Sequence, residues 1–544
     1  MLGPQQYVVV GQDPVAVSVK FGVPCLGPFA GTFRNAGETV RLRDAAGIER
    51  DEVSYGLGFP WPTIGETPET SMQLLNPALH NDLGGSWRSG GPSPGAANGV
   101  LAATNDVPPL VRQVDHEPRE PVSTNGVLIT AKVTDADGVS SVVLQYQLVD
   151  PGSYIRVSDA SYQTAWTDVA MNDSGLDGDA AAGDNIYSVT MSAAIHVHRR
   201  LVRYRITVED SVANSLRVPY ADDEQPNFAY FVYDGVPAWS GAKEPGVTAV
   251  TNVSADVMAD QLPVYHLIAN GTDVVNSQYN SGYNGTRMWG TLVYDGRVYD
   301  HIQFYNRGEY STYWSGKNKW RFKFNRGRDF RARDIYGKRY KRDWKTLNFN
   351  ACASPWIPVN RGMAGMDEAV PHRLFQLAGV PSSNTHWTHL RIVDASEEAP
   401  ADQYEGDLWG LYLAIEHLDG RFLGERDLPD GNTYKIQGGA GNKKNQGPTQ
   451  PLDNSDWNTF WAASANLNSV AWWRSSFSVE GFYGFRAINR AIGNVDLRDS
   501  ANYYMYHHPD GRWHVMPWDL DMMYIPETHW SGVIRADRCL DHAE

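Results

Sequence analysis

The chain has 544 residues and a formal charge of −16, with 63 Asp and Glu against 47 Lys and Arg. A hydrophobic fraction of 42% and a charged fraction of 20% belong to a folded protein of several domains, and the acidic balance speaks against a nucleic-acid binder. No apolar run reaches the roughly 18 residues of a membrane span, and Cys25, Cys352 and Cys539 fit neither a disulfide framework nor a zinc site.

Residues 1–100 read as all-β. Positions 39–43 alternate with period two, Asp44-Ala45-Ala46-Gly47 turns, and a second strand starts at Glu49. A Pro/Trp loop (Phe59-Pro60-Trp61-Pro62), Ser71-Met72-Gln73-Leu74, Trp87 and Pro94-Gly95-Ala96-Ala97-Asn98 follow. This order resembles the second half of a bacterial lamin-tail domain, a small immunoglobulin-like sandwich. The start, Met1-Leu2-Gly3-Pro4, lacks the basic and apolar parts of a signal peptide, and the end, Arg538-Cys539-Leu540-Asp541, has no terminator. An excerpt of a longer protein is therefore expected.

Residues 101–107 read as a linker, and residues 108–236 as a second sandwich, of immunoglobulin or fibronectin type, with about seven strands. Strands are expected at 127–134, 142–146, 201–208 and 229–233. Inside this region Asp173, Asp177, Asp179 and Asp184 are spaced as oxygen ligands for calcium. An Asp/Gly turn closing a hairpin explains the same residues more simply. Residues 237–260 read as a second linker.

From residue 261 onward the pattern is mixed, with strands expected at 290–294 and 320–324 and helices at 368–378 and 477–492. Residues 317–345 hold 13 Lys and Arg against 3 Asp, a net of +10 that leaves −26 for the rest. Lys319, Arg321 and Lys323 alternate with Trp320, Phe322 and Phe324, which is a strand with one cationic face suited to phosphates in a cleft. Glu416 sits in the apolar run Leu411-Tyr412-Leu413-Ala414-Ile415, where a carboxylate needs a cationic partner; Arg321 or Lys323 is the expected one.

Near the end, Asp496 and Asn502 precede an aromatic hairpin, and Asp519 and Asp521 follow its return strand. The hairpin is expected to gather three carboxylates and an amide. Carboxylates this close repel unless a cation joins them, and oxygen-only donors favour Mg²⁺ or Mn²⁺ over zinc. Protein kinases combine a catalytic Asp, a metal-binding Asn and a metal-binding Asp in this order.

These segments together resemble the CotH-type kinases, the spore-coat protein H family of atypical secreted protein kinases. The matching pieces are Arg307-Gly308, Lys319-Trp320-Arg321-Phe322-Lys323-Phe324, Leu347-Asn348-Phe349-Asn350, Ala378-Gly379-Val380-Pro381, Gly410-Leu411-Tyr412-Leu413 with Glu416, and Thr433-Tyr434-Lys435. Gly493-Asn494-Val495-Asp496, Asn502-Tyr503-Tyr504 and Pro517-Trp518-Asp519-Leu520-Asp521 complete the series. The resemblance implies an α+β kinase-like domain over residues 261–544, ATP, a divalent metal and phosphorylation of protein hydroxyls. It implies Asp496 as base, Asn502 with Asp519 or Asp521 as metal ligands, and Arg321 or Lys323 as the phosphate cation partnered by Glu416. Arg307 and Lys435 would line the nucleotide site. An extracellular or envelope location, a protein substrate and a polysaccharide or protein ligand for the sandwich modules are further expectations. A non-catalytic envelope scaffold is the alternative reading. A nuclease or phosphodiesterase on the same acidic cluster is a third.

Overall fold

The computed structural model describes residues 6–29, 31, 33–34, 37–64, 70–103, 106–260, 262–308, 317–353, 363–494, 497, 501–521 and 523–524. Strand is the dominant element throughout.

The first hundred residues are not purely β. A helix spans Pro14–Phe21, because the Asp13 carboxylate caps the Ala16 N–H, Pro14 opens the first turn and Gly22 closes it with φ 69°. The expected hairpin follows as Glu38–Arg43 paired with Glu49–Tyr55, its turn held by Asp44 accepting from the Ala46 and Ile48 amides. A second strand pair joins Ser71–Leu74 to Trp87–Gly90.

Residues 108–236 form two antiparallel sheets over one core. The first contains Leu110–Glu117, Val127–Thr134 and Ile186–Met191; the second contains Val139–Val149, Thr167–Ala170, Leu201–Asp210, Ser215–Val218 and Phe228–Phe231. Val127, Ile129, Ala131 and Val133 alternate inward and meet Leu144, Val202, Ile206 and Tyr230. Edge strands such as Thr167–Ala170 expose most of their residues, so they carry little apolar periodicity.

Residues 237–260 are more than a linker. Trp239–Gly241 pairs with Thr251–Val253, and the helix Ala255–Asp260 follows. Ala242 exchanges two backbone hydrogen bonds with the Gln403 amide, at 2.6 and 2.7 Å.

The next seven strands close into a barrel: β1 (Val264–Ala269), β2 (Met288–Tyr294), β3 (Arg297–Asn306), β4 (Trp320–Lys323), β5 (Thr346–Asn350), β6 (Thr385–Val393) and β7 (Leu408–Glu416). Their order is β1-β2-β3-β4-β5-β7-β6, and β6 returns to β1 in parallel. Trp320, Phe322, Phe349 and Tyr412 fill the interior, each such ring contributing about 1.5–3 kcal/mol by leaving water. The alternate residues of β4 face outward.

Helix α1 (Met366–Leu377) lies between β5 and β6. Beyond the barrel a four-stranded sheet runs in the order β9-β8-β10-β11, with β8 at Thr433–Gln437, β9 at Ala440–Asn445, β10 at Ala501–His507 and β11 at Trp513–Pro517. Helix α2 (Val479–Ala491) packs on β11, and Phe375 of α1 stacks on Phe485 of α2. Leu413, Ile415, Tyr504 and Trp518 join barrel and sheet in one apolar layer. No helix of the described residues is long and apolar enough to cross a membrane.

Candidate functional site

The site forms where β4 of the barrel meets the far end of the β10–β11 hairpin. Tyr503 pairs with Pro517, so Asn502 and Trp518 flank the open end of that hairpin. Asn502 and Asp519 both adopt left-handed backbone, with φ 67° and 61°, a conformation that Asn and Asp tolerate better than most residues. Lys319, immediately before β4, makes an ion pair with Asp521. Burial would lower the Lys319 ammonium, but Asp521 and Asp519 more than offset it and hold the lysine charged well above its usual range. Arg307 reaches to 3.9 Å from Asp519 and lies over the Trp518 ring at 4.9 Å.

Helix α1 contributes acidic residues from its first turn. Glu368 is fully buried, accepts from the Asn350 amide and lies 3.9 Å from His372. Burial would raise its carboxyl, but His372, Arg307 and Lys319 together pull it down to about 2. Its neighbour Asp367 is pushed up to about 7 by burial and by the charges of Glu368 and Asp521. One side of the site therefore couples Lys319 and Arg307 to Asp521, Asp519 and Glu368.

The other side is cationic. His417 is pushed well below its usual range by burial, then by Arg321, Arg307, Lys444 and Lys435. Three of the phosphate-side candidates, Arg307, Arg321 and Lys435, thus share one neighbourhood, and Lys444 joins them. Lys435 pairs with Tyr504, whose ring packs on Trp518 at 5.4 Å, so the sheet carries Lys435 to the same place as Arg307. Arg321 donates to the Asn348 amide oxygen at 2.9 Å.

Residues 304–539 match the family model for CotH kinase protein. The CotH match thus covers Arg307, Lys319, Glu368, the cationic cluster and the hairpin. No curated protein matches the chain. Among solved structures, the cycloalternan-degrading enzyme from Trueperella pyogenes in complex with cycloalternan is 11% identical over 38% of this chain and 33% of that one, with a TM-score of 0.13. The same enzyme with a covalent intermediate is 11% identical over 56% of this chain and 35% of that one, again with a TM-score of 0.13. The chain spans about a third of the length of those two structures, and at that score the likeness fixes no shared fold.

Within the CotH segment two expectations change. Glu416 pairs with neither Arg321 nor Lys323. It accepts from Arg426 at 2.7 and 3.1 Å and from the Asn384 N–H at 2.9 Å, while burial pushes its carboxyl up. It is a buried anchor at the end of β7, held by a guanidinium that stacks 3.7 Å over Phe422. Arg426→Ala is expected to lower stability by about 3 kcal/mol, because a buried carboxylate is left unpaired; thermal unfolding of the variant measures it, and an unchanged melting temperature contradicts the assignment. Lys323 also stands apart: four residues along an extended chain put it about 13 Å from Lys319. Asp496 lies outside the described residues.

The Asp-rich loop of the sandwich brings Asp173, Asp179 and Asp184 together, with one oxygen of each within 4.8 Å of the others. Asp173 already accepts from the Gly183, Asp184 and Asn185 amides, and Asp179 from Gly175. That is the hydrogen bonding an Asp/Gly turn requires.

Proposed function

We propose that the chain is an atypical, metal-dependent protein kinase that transfers the γ-phosphoryl group of ATP to protein hydroxyls. The observation that carries this reading is the Lys319–Asp521 ion pair at the open end of the hairpin, inside the segment matching the CotH kinase model. Asn502 with Asp519 or Asp521 would hold Mg²⁺ or Mn²⁺; the all-oxygen donor set suits these ions. Bound metal and ATP supply the transferable group and neutralise part of its charge.

The chain's own residues divide the remaining work. Lys319, fixed as a cation by Asp521, and Arg307 face phosphate charge from the acidic side. Arg321, Lys435 and Lys444 offer cations from the other, around a neutral His417. Asp496 takes the proton of the attacking hydroxyl as oxygen bonds to phosphorus and the β–γ bridging oxygen departs with ADP. Glu368 adds a buried negative charge from α1 to the electrostatic surroundings of Lys319 and Arg307.

The resemblance also supports an extracellular or envelope location and a protein substrate. Two sheets over one core support an immunoglobulin-like reading of residues 108–236, which would serve, with the lamin-tail-like residues 1–100, in binding. The test of the activity is incubation with radiolabelled ATP and Mn²⁺ or Mg²⁺. Wild-type protein is expected to label itself or an added protein, and Asp496→Ala to lose the label while keeping its melting temperature. Equal incorporation by both would remove Asp496 from the mechanism; no incorporation, together with no Mg-ATP effect on melting, would overturn the kinase reading.

A further inference from the structure

Residues 326–345 hold most of the basic surplus, yet they line a separate cavity of about 1320 Å³ between the first hundred residues, the sandwich and the barrel. Among the described residues its walls carry Arg297, Arg328, Arg331, Arg339 and Arg342, and the carboxylates Asp115, Asp329 and Asp343. Asp115 is taken by Arg119 and Asp329 by Arg421. That leaves Asp343, which Arg339 holds at 2.8 Å and Arg331 approaches at 3.8 Å. Arg328 has Nε and Nη2 buried with no hydrogen-bond partner. Arg297 is pushed below its usual range by burial and by the charges of Arg331, Arg119 and Arg339. Among the described residues, Arg331 and Arg339 share Asp343 and the charge of Arg328 is felt by buried Asp223, so the guanidinium groups of this wall outnumber their carboxylates and suit an anion brought from outside.

The cavity also presents rings. Phe33 is 57% exposed, Tyr55 and Trp87 are half-buried, and Phe59 meets Phe228 edge-on at 5.4 Å. Guanidinium forks bind tetrahedral oxyanions in pairs of hydrogen bonds, while flat aromatic faces receive the apolar faces of sugar rings. A small free anion would leave the rings unused, and a neutral sugar would leave the cations uncompensated. The volume exceeds the roughly 300–1000 Å³ of an ordinary small-ligand site, so there is room for several units. We propose that this cavity binds an oligosaccharide bearing phosphate or sulfate esters.

Calorimetric titration of the whole chain with maltohexaose carrying sulfate esters, maltohexaose carrying phosphate esters, plain maltohexaose and a doubly phosphorylated peptide tests this. Saturable binding of an esterified sugar is expected, with the better ester naming the source. It should weaken about ten- to a hundredfold in Arg331→Gln, the range of a lost charged hydrogen bond. Arg342→Gln, at the exposed rim, should weaken it with no change in melting temperature and so serves if Arg331→Gln does not fold. Arg512→Gln, on the distant hairpin, should bind as wild type. No saturable binding of either ester, equal binding of plain maltohexaose, tighter binding of the peptide, or an equal loss in Arg512→Gln would each overturn the proposal.

Discussion

Lys319→Met is expected to lower the rate of phosphoryl transfer by about 10²–10³-fold, the usual cost of removing one preorganised charge from a transition state. Lys319 and Asp521 act as one unit, so Asp521→Asn should cost a similar factor and the double variant little more. Arg321→Met should behave differently. Its guanidinium belongs to the cationic group around His417 and is tied to Asn348, so its loss is expected to raise the KM for ATP about tenfold and to spare kcat. Lys323→Met should change neither. Steady-state kinetics on the three cation variants separate the roles, and an intact rate in Lys319→Met with a large loss in Lys323→Met would reverse the assignment.

The ranking of these three cations shows how far the sequence reaches. Alternation with Trp320 and Phe322 places Lys319, Arg321 and Lys323 on one outward face, and β4 has that face. Which of them meets an acid depends on where the hairpin end comes to rest, and no local pattern encodes that. The hairpin itself was legible: the aromatic run Tyr503-Tyr504-Met505-Tyr506 and the turn His507-His508-Pro509-Asp510-Gly511 lie where β10 ends and β11 begins. Glu416 and Glu368 show the opposite limit. Glu416 stands in an apolar run and its partner is Arg426, ten residues on, whereas Glu368, buried in the first turn of α1, accepts from Asn350 and is held low by His372, then by Arg307 and Lys319. The apolar run around Glu416 signals that it needs a cation without naming Arg426, and nothing local to Glu368 marks it at all. The basic surplus of residues 317–345 divides in the same way. Only its first members reach the phosphate-side cluster, while residues 326–345 cross to the cavity with the N-terminal residues.

Arg203→Ala is expected to destabilise the protein by about 5 kcal/mol, the upper range for breaking a buried ion pair. Arg203 lies on the sandwich strand Leu201–Asp210 and Asp300 on β3, and both side chains are fully buried. The guanidinium binds Asp300 at 2.7 and 3.0 Å and also donates to the Ile155 carbonyl at 2.8 Å. Asp300 further accepts from Thr291 at 2.5 Å and Asn227 at 2.9 Å, so removing Arg203 strands a charge amid groups that cannot leave. Burial alone would raise the Asp300 carboxyl, but Arg203, His301 and Thr291 outweigh it and hold it low. A carboxyl depressed by folding stabilises the protein above its unfolded value of about 4 and loses that contribution as pH falls below it. The melting gap between wild type and Arg203→Ala should therefore be widest near neutrality and narrow in acid; a gap that is absent, or that widens in acid, rejects the assignment. The consequence reaches the site, because β3 continues from Asp300 to Asn306, directly before Arg307. Val149, Leu201 and Phe231 of the sandwich share an apolar layer with Ile268, Val293 and Val393 of the barrel. The sandwich thus stiffens the strand that delivers Arg307, and activity in Arg203→Ala should fall in step with its melting temperature and not ahead of it.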